Sequence, residues 1–145
     1  MKVKLIFGSI IISALCFVWV FYDQSELDQQ PEVLVSKIHS DLLNEDLFIK
    51  KISWGLTYDH NVFLLTCSPD KSVEPDSTSE YIFLSSELFY KVSNDSLYIF
   101  TSLKAKTPLI FNSKFKVVQQ ELENVEIMKL REDKNYKKEG LEMIY

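Results

Sequence analysis

From Leu5 to Tyr22 the chain carries no charged residue, and a run of that kind narrows its fate before any other pattern is read. As a helix it spans about 27 Å, close to the hydrocarbon thickness of a typical bilayer. Lys2 and Lys4 precede it, and Asp23, Glu26 and Asp28 follow it. Trp19 and Tyr22 stand near its far end, where amphipathic rings favour the membrane interface. Basic before and acidic after predicts a cytoplasmic N-terminus and a translocated C-terminal part.

The chain therefore divides into a transmembrane signal-anchor over residues 1–22, a linker over 23–31 and an exported domain over 32–145. The predicted address is a bacterial inner membrane, crossed once, with the domain in the periplasm. Two rival readings are weaker. Cleavage after Ala14-Leu15-Cys16 would leave Phe-Val-Trp-Val-Phe-Tyr on the mature end. A lipoprotein signal needs a small residue before its cysteine, and Leu15 precedes Cys16.

Charge is divided unevenly over the exported part, which holds 21 acids against 14 bases, a net of −7. Residues 23–80 hold 12 acids and 4 lysines, a net of −8, whereas residues 81–145 hold 9 acids and 10 bases, a net of +1. A negative field argues against nucleic acid and against anionic lipid as partners, and suits a cationic protein.

Little in the sequence points to chemistry. Gly55 stands apart from Gly8 and Gly140, so no glycine-rich phosphate cradle exists. Cys16 and Cys67 fall in different segments, which excludes a disulfide scaffold. Cys67 follows Val62-Phe63-Leu64-Leu65-Thr66 and is expected to be a buried, inert thiol. His60 and Cys67 lie about 23 Å apart along an extended strand, too far for a nucleophile and its base. His39 and Asp41, on an expected helix, point to different faces.

No zinc or calcium spacing and no hydrolase motif occurs. The carboxylate groups Glu45-Asp46, Asp70/Glu74/Asp76 and Glu121/Glu123 sit in charged stretches, where unshifted acids make poor general acids. An enzyme with a dispersed site would show itself by a carboxylate of raised pKa in a cleft.

The fold class predicted is α+β: an antiparallel sheet packed against one or two helices, behind the N-terminal transmembrane helix. Leu34, Ile38 and Leu42 recur at i, i+4, i+8, predicting a helix over 31–46 opened by Pro31. Phe48, Ile52, Trp54, Leu56 and Tyr58 alternate with Lys51, Ser53, Gly55 and Thr57, predicting a strand with one solvated face. Asp59-His60-Asn61 turns the chain into a both-face apolar strand, Val62–Cys67, completing a hairpin.

Ser68–Glu80 reads as a long exposed loop. Strands are expected at Tyr81–Leu84, Leu88–Val92 and Leu97–Thr101, with Ser93-Asn94-Asp95 turning between the last two. Lys104–Pro108 is a short basic loop, and Leu109–Phe111 with Phe115–Val118 form a further strand pair. Val118, Leu122, Val125 and Met128 favour a helix from about Gln119 to Arg131, although Val125-Glu126-Ile127 also fits a strand.

The expectation for function is a non-enzymatic protein-binding domain without cofactor or metal, in the manner of an immunity or inhibitor protein against a toxin, bacteriocin or hydrolase. Asp70, Glu74, Asp76 and Glu80 are the residues expected to meet a basic partner. The alternative is an accessory or assembly subunit of an inner-membrane complex, making contacts through residues 5–22.

Overall fold

The computed structural model describes residues 31–54, 60–70 and 72–145. The expected membrane anchor lies outside the described residues, and no described helix is long and apolar enough to cross a membrane. The domain is a small α+β unit of two four-stranded sheets and a short helix.

The first sheet is antiparallel throughout, in the order β1 (Glu32–Ser40), β2 (Glu45–Trp54), β3 (His60–Thr66), β4 (Tyr81–Phe83). The second runs β7 (Lys116–Glu121), β6 (Ser96–Thr101), β5 (Leu88–Ser93), β8 (Glu142–Ile144), with β6 and β7 parallel and the other pairs antiparallel. Helix α1 (Asn124–Arg131) follows β7, and a 3₁₀ turn (Glu132–Lys134) and a one-turn helix α2 (Asn135–Lys138) lead into β8.

Period-two patterning sets which face each strand buries. Ile38, Leu47, Ile49, Phe63, Leu65, Tyr81 and Phe83 from the first sheet share one core with Leu88, Tyr90, Leu97 and Ile99 from the second. Phe89 faces the opposite way and packs with Leu122, Ile127, Leu130 and Leu141, so α1 covers the outer face of the second sheet. The layers are therefore sheet, sheet and helix. The helix anchors through Ile127 and Leu130, whose removal from water stabilises it by about 1.5–3 kcal/mol per side chain.

The expected helix over 31–46 is instead β1, a turn at residues 41–44 and the start of β2. A spacing of four satisfies period two as well as a helical face, so Leu34, Ile38 and Leu42 did not discriminate. Val33, Val35 and Ile38 favour a strand, and the registered partner β2 supplies the hydrogen bonds. Asn44 takes the left-handed conformation (φ 48°) and Ser40 Oγ accepts from the Leu43 N–H at 3.3 Å, closing the turn.

Strand β2 lacks the solvated face expected of it. It is interior to its sheet, and Leu47, Ile49, Lys50, Ile52 and Ser53 are all buried. Its hairpin with β3 forms as expected, although His60 belongs to the strand and Asp59 lies outside the described residues. Strands β4, β5 and β6 fall within a residue of expectation, with Asn94 (φ 55°) in the turn between the last two, whereas β8 was not expected.

Leu109–Phe111 is not a strand. Leu109 and Ile110 are exposed and Phe111 packs edge-on against Tyr81 at 5.0 Å. Residues 119–121, expected in a helix, extend β7, where parallel pairing with β6 outweighs the good helix propensity of Gln and Glu. Gln119 also bonds Ala105 through both amide atoms. The helix starts at Asn124 because Glu123 and Glu126 form a reciprocal capping box. Val125 and Met128, expected on its buried face, are exposed.

Candidate functional site

The segment between β3 and β4 is long, acidic and firmly held. Asp70 accepts from the Ser72 N–H (2.9 Å), the Ser68 hydroxyl (2.8 Å) and Lys50 Nζ (3.0 Å). Those donors, the Ser72 amide foremost, push its pKa down to about 2. Asp76 accepts from Ser79 Oγ (2.7 Å) and the Thr78 N–H (2.9 Å), which lower its pKa in that order. Glu80 accepts from Lys50 Nζ (3.3 Å) and the Asp76 N–H (3.0 Å). The Ile110 N–H donates to Thr78 O and fastens the loop to the crossover between β6 and β7.

Lys50 was not singled out from the sequence, yet it organises this loop. It is 1% exposed, in an interior strand, with its ammonium between Asp70 and Glu80. The readable signal was its flanking by Ile49 and Ile52 and its position opposite Leu64 of a strand apolar on both faces.

The four acids expected to meet a partner are thus placed differently from one another. Glu80 is 7% exposed and turned inward to Lys50. The Asp70 side chain is 58% exposed while still bonded to Lys50. Glu74 and Asp76 are exposed. Asp70, Glu74 and Asp76 form the outward part of the loop, and Glu80 holds it down.

A second concave site lies beside the second sheet. Ser86 and Glu87 just before β5, Arg131, Lys134, Tyr136 and Lys137 of the helical segment, and Met143 and Tyr145 at the C-terminal end line a cleft of about 580 Å³. Glu87 is 6% exposed and its carboxylate lies 3.5 Å from Arg131 Nε. Burial raises its pKa, and the arginine opposes the rise.

Asp133 (φ 47°) and Lys134 (φ 53°) are consecutive non-glycine residues in the left-handed region, a conformation costing roughly 1–2 kcal/mol per residue. They end the helix and bring Lys134 to the rim of the cleft. Neither Lys134 nor Lys137 has an ion-pair partner among the described residues. Among those residues no histidine, cysteine or second acidic side chain lines the cleft.

The remaining candidates are dispersed. His39 contacts Asp46 through Nδ1 (2.6 Å) and Asp41 through Nε2 (3.2 Å). Its pairing with Asp41, not expected on a helix, arises because a strand followed by a turn brings them together. Lys37 joins the same Asp46 at 2.8 Å. Cys67 is exposed, contrary to the sequence reading, because it stands just beyond the end of β3. Its Sγ donates to Asn112 O at 3.4 Å. Partial desolvation, then the charge of Glu45, push its thiol pKa up. His60 begins that strand, so the two occupy opposite ends of it. No group of three metal-ligating side chains occurs among the described residues.

Comparison with protein-family models, curated proteins and solved structures gave no match.

Proposed function

We propose that residues 32–145 are the partner-binding domain of a single-pass membrane protein of the immunity or inhibitor type. Residues 1–22 anchor it in a bacterial inner membrane, residues 23–31 tether it, and the domain intercepts a cationic toxin, bacteriocin or hydrolase in the periplasm. The observation that carries this reading is the acidic loop. Two of its outward carboxylates, Asp70 and Asp76, are fixed by Lys50 and local side-chain and backbone bonds, Glu80 holds the loop down, and Glu74 is exposed between them. A charged surface ordered in advance loses little conformational entropy on binding and steers an oppositely charged partner toward it. The tether adds a high local concentration at the membrane face.

The test is capture by the full chain in neutral detergent from periplasmic and secreted proteins, at low and at high salt. The reading expects one basic protein, lost as salt rises and lost in Glu74→Lys. Cells producing the chain should then survive that protein when it is added. Co-purification of integral membrane proteins instead, unaffected by Glu74→Lys but abolished when residues 5–22 are replaced by an unrelated anchor, would favour a subunit of a membrane complex.

A further inference from the structure

The cleft beside Glu87 has the makings of a second, oppositely charged site. Three cationic side chains, Arg131, Lys134 and Lys137, stand against one side-chain carboxylate. That carboxylate is buried and addresses Arg131 through Nε, which leaves the terminal guanidinium nitrogens available to a ligand. Tyr136 and Met143 are half-buried and supply an apolar wall, with Tyr136 held in place against Phe89 at 5.8 Å.

The backbone adds an independent indication. The turn that ends α1 places Asp133 and Lys134 at positive φ, where glycine would sit without strain, as Gly140 does six residues later. The strained choice sets an ammonium at the rim of a cavity that already holds two other cations. An ion-pair role for Lys134 within the fold does not account for it, since no described carboxylate pairs with it.

We infer that this cleft binds a phosphate monoester. Arg131, Lys134 and Lys137 take the dianionic oxygens, and Tyr136 and Met143 pack against the organic group. Glu87 is a positioning residue: its carboxylate, reached by no other described cation, fixes the arginine's orientation. A phosphomonoester suits this set better than a carboxylate because three cationic donors lining one cleft match a group with three terminal oxygens and about two charges. The same chemistry is found on a soluble organic phosphate and on a lipid headgroup.

Inorganic phosphate and phenyl phosphate would be titrated into the full chain in neutral detergent micelles at constant ionic strength, following the Lys134 and Lys137 amide resonances. Saturation below about 1 mM is expected for phosphate, with tighter binding of phenyl phosphate through the apolar wall. Lys137→Gln and Lys134→Gly should each weaken binding by about tenfold, the loss of one charge-assisted contact. Lys134→Gly should unfold no earlier than the parent, because it removes backbone strain. Lys129→Gln, which lines a different hollow with Gln120 and Leu141, should bind like the parent.

Micelles doped with phosphatidic acid or with phosphatidylglycerol distinguish the sources. Shifts with the monoester lipid alone, reversed by phenyl phosphate, identify a headgroup site, and shifts with soluble phosphates only identify a soluble ligand. Absence of saturation, an equal response to acetate, or unchanged binding in both Lys134→Gly and Lys137→Gln would overturn the assignment.

Discussion

Replacing Lys50 by methionine is the sharpest perturbation the fold offers. The side chains are similar in length, so packing in the interior strand is nearly conserved and the change is mainly the loss of one buried cation. What remains is Glu80, whose side chain is 8% exposed and whose Oε1 lies 3.3 Å from the lysine in the parent. Removing one partner of a buried pair leaves the other uncompensated and costs about 3–5 kcal/mol. Asp70 adds little to that figure, because its side chain is 58% exposed and water replaces the lost contact.

A small domain has about 5–15 kcal/mol in total, so Lys50→Met should remove a large share of it. Urea unfolding of residues 31–145, followed through Trp54, the one tryptophan in that span, measures the loss. Adding Glu80→Gln should recover roughly half of it, since a neutral amide is far cheaper to bury than an unpaired charge. A Lys50→Met domain within about 1 kcal/mol of the parent would refute the reasoning, as would a double variant less stable than the single.

Acid should weaken the domain through its loop. Asp70 and Asp76 have depressed folded pKa values, so their contribution is present above the unfolded value of 3.8 and is lost as pH falls through the folded values, about 2 for Asp70. Asp70→Asn should flatten urea midpoints measured across that window. Glu87 is the opposite case: its folded pKa is raised, so stability is full below the unfolded value of 4.5 and falls as pH rises through the folded one. Glu87→Gln should therefore raise the melting temperature at neutral pH and remove that decline. Asn94→Val should cost about 1–2 kcal/mol by forcing a branched residue to φ 55°, while Asn94→Gly should be nearly neutral in the same unfolding assay. Leu130→Ala should cost about 2–5 kcal/mol by uncoupling α1 from the second sheet.

The legible parts of the fold were those where only one period fitted. Val62–Thr66 and strands β4 to β6 read correctly because apolar runs were bounded by Asn-Asp or Ser-Pro-Asp turn signals. The segment from Pro31 misled because Leu34, Ile38 and Leu42 satisfy two periods at once, and only pairing with β2 decides between them. Residues 119–121 misled because parallel partners twenty residues away are invisible to local pattern. The Glu123/Glu126 capping box was present in the sequence and located the helix start better than its apolar spacing did.

At the acidic loop, sequence supplied the charges but not their directions. Glu80 turns inward because Lys50, two strands away, needs a counter-charge. The cleft beside Glu87 was out of reach because its walls come from segments more than forty residues apart, and the left-handed turn at Asp133-Lys134 carries no glycine or asparagine to announce it.

The proposed role requires the domain to lie on the periplasmic side of a membrane, and Cys67 allows that to be measured. Its thiol is exposed at the end of β3, whereas Cys16 falls in the uncharged N-terminal run. A membrane-impermeant maleimide applied to intact spheroplasts at mildly alkaline pH, to offset the raised thiol pKa, should label the parent and spare Cys67→Ser. Labelling of Cys67 only after the membrane is broken would place the domain in the cytoplasm and contradict the proposed role.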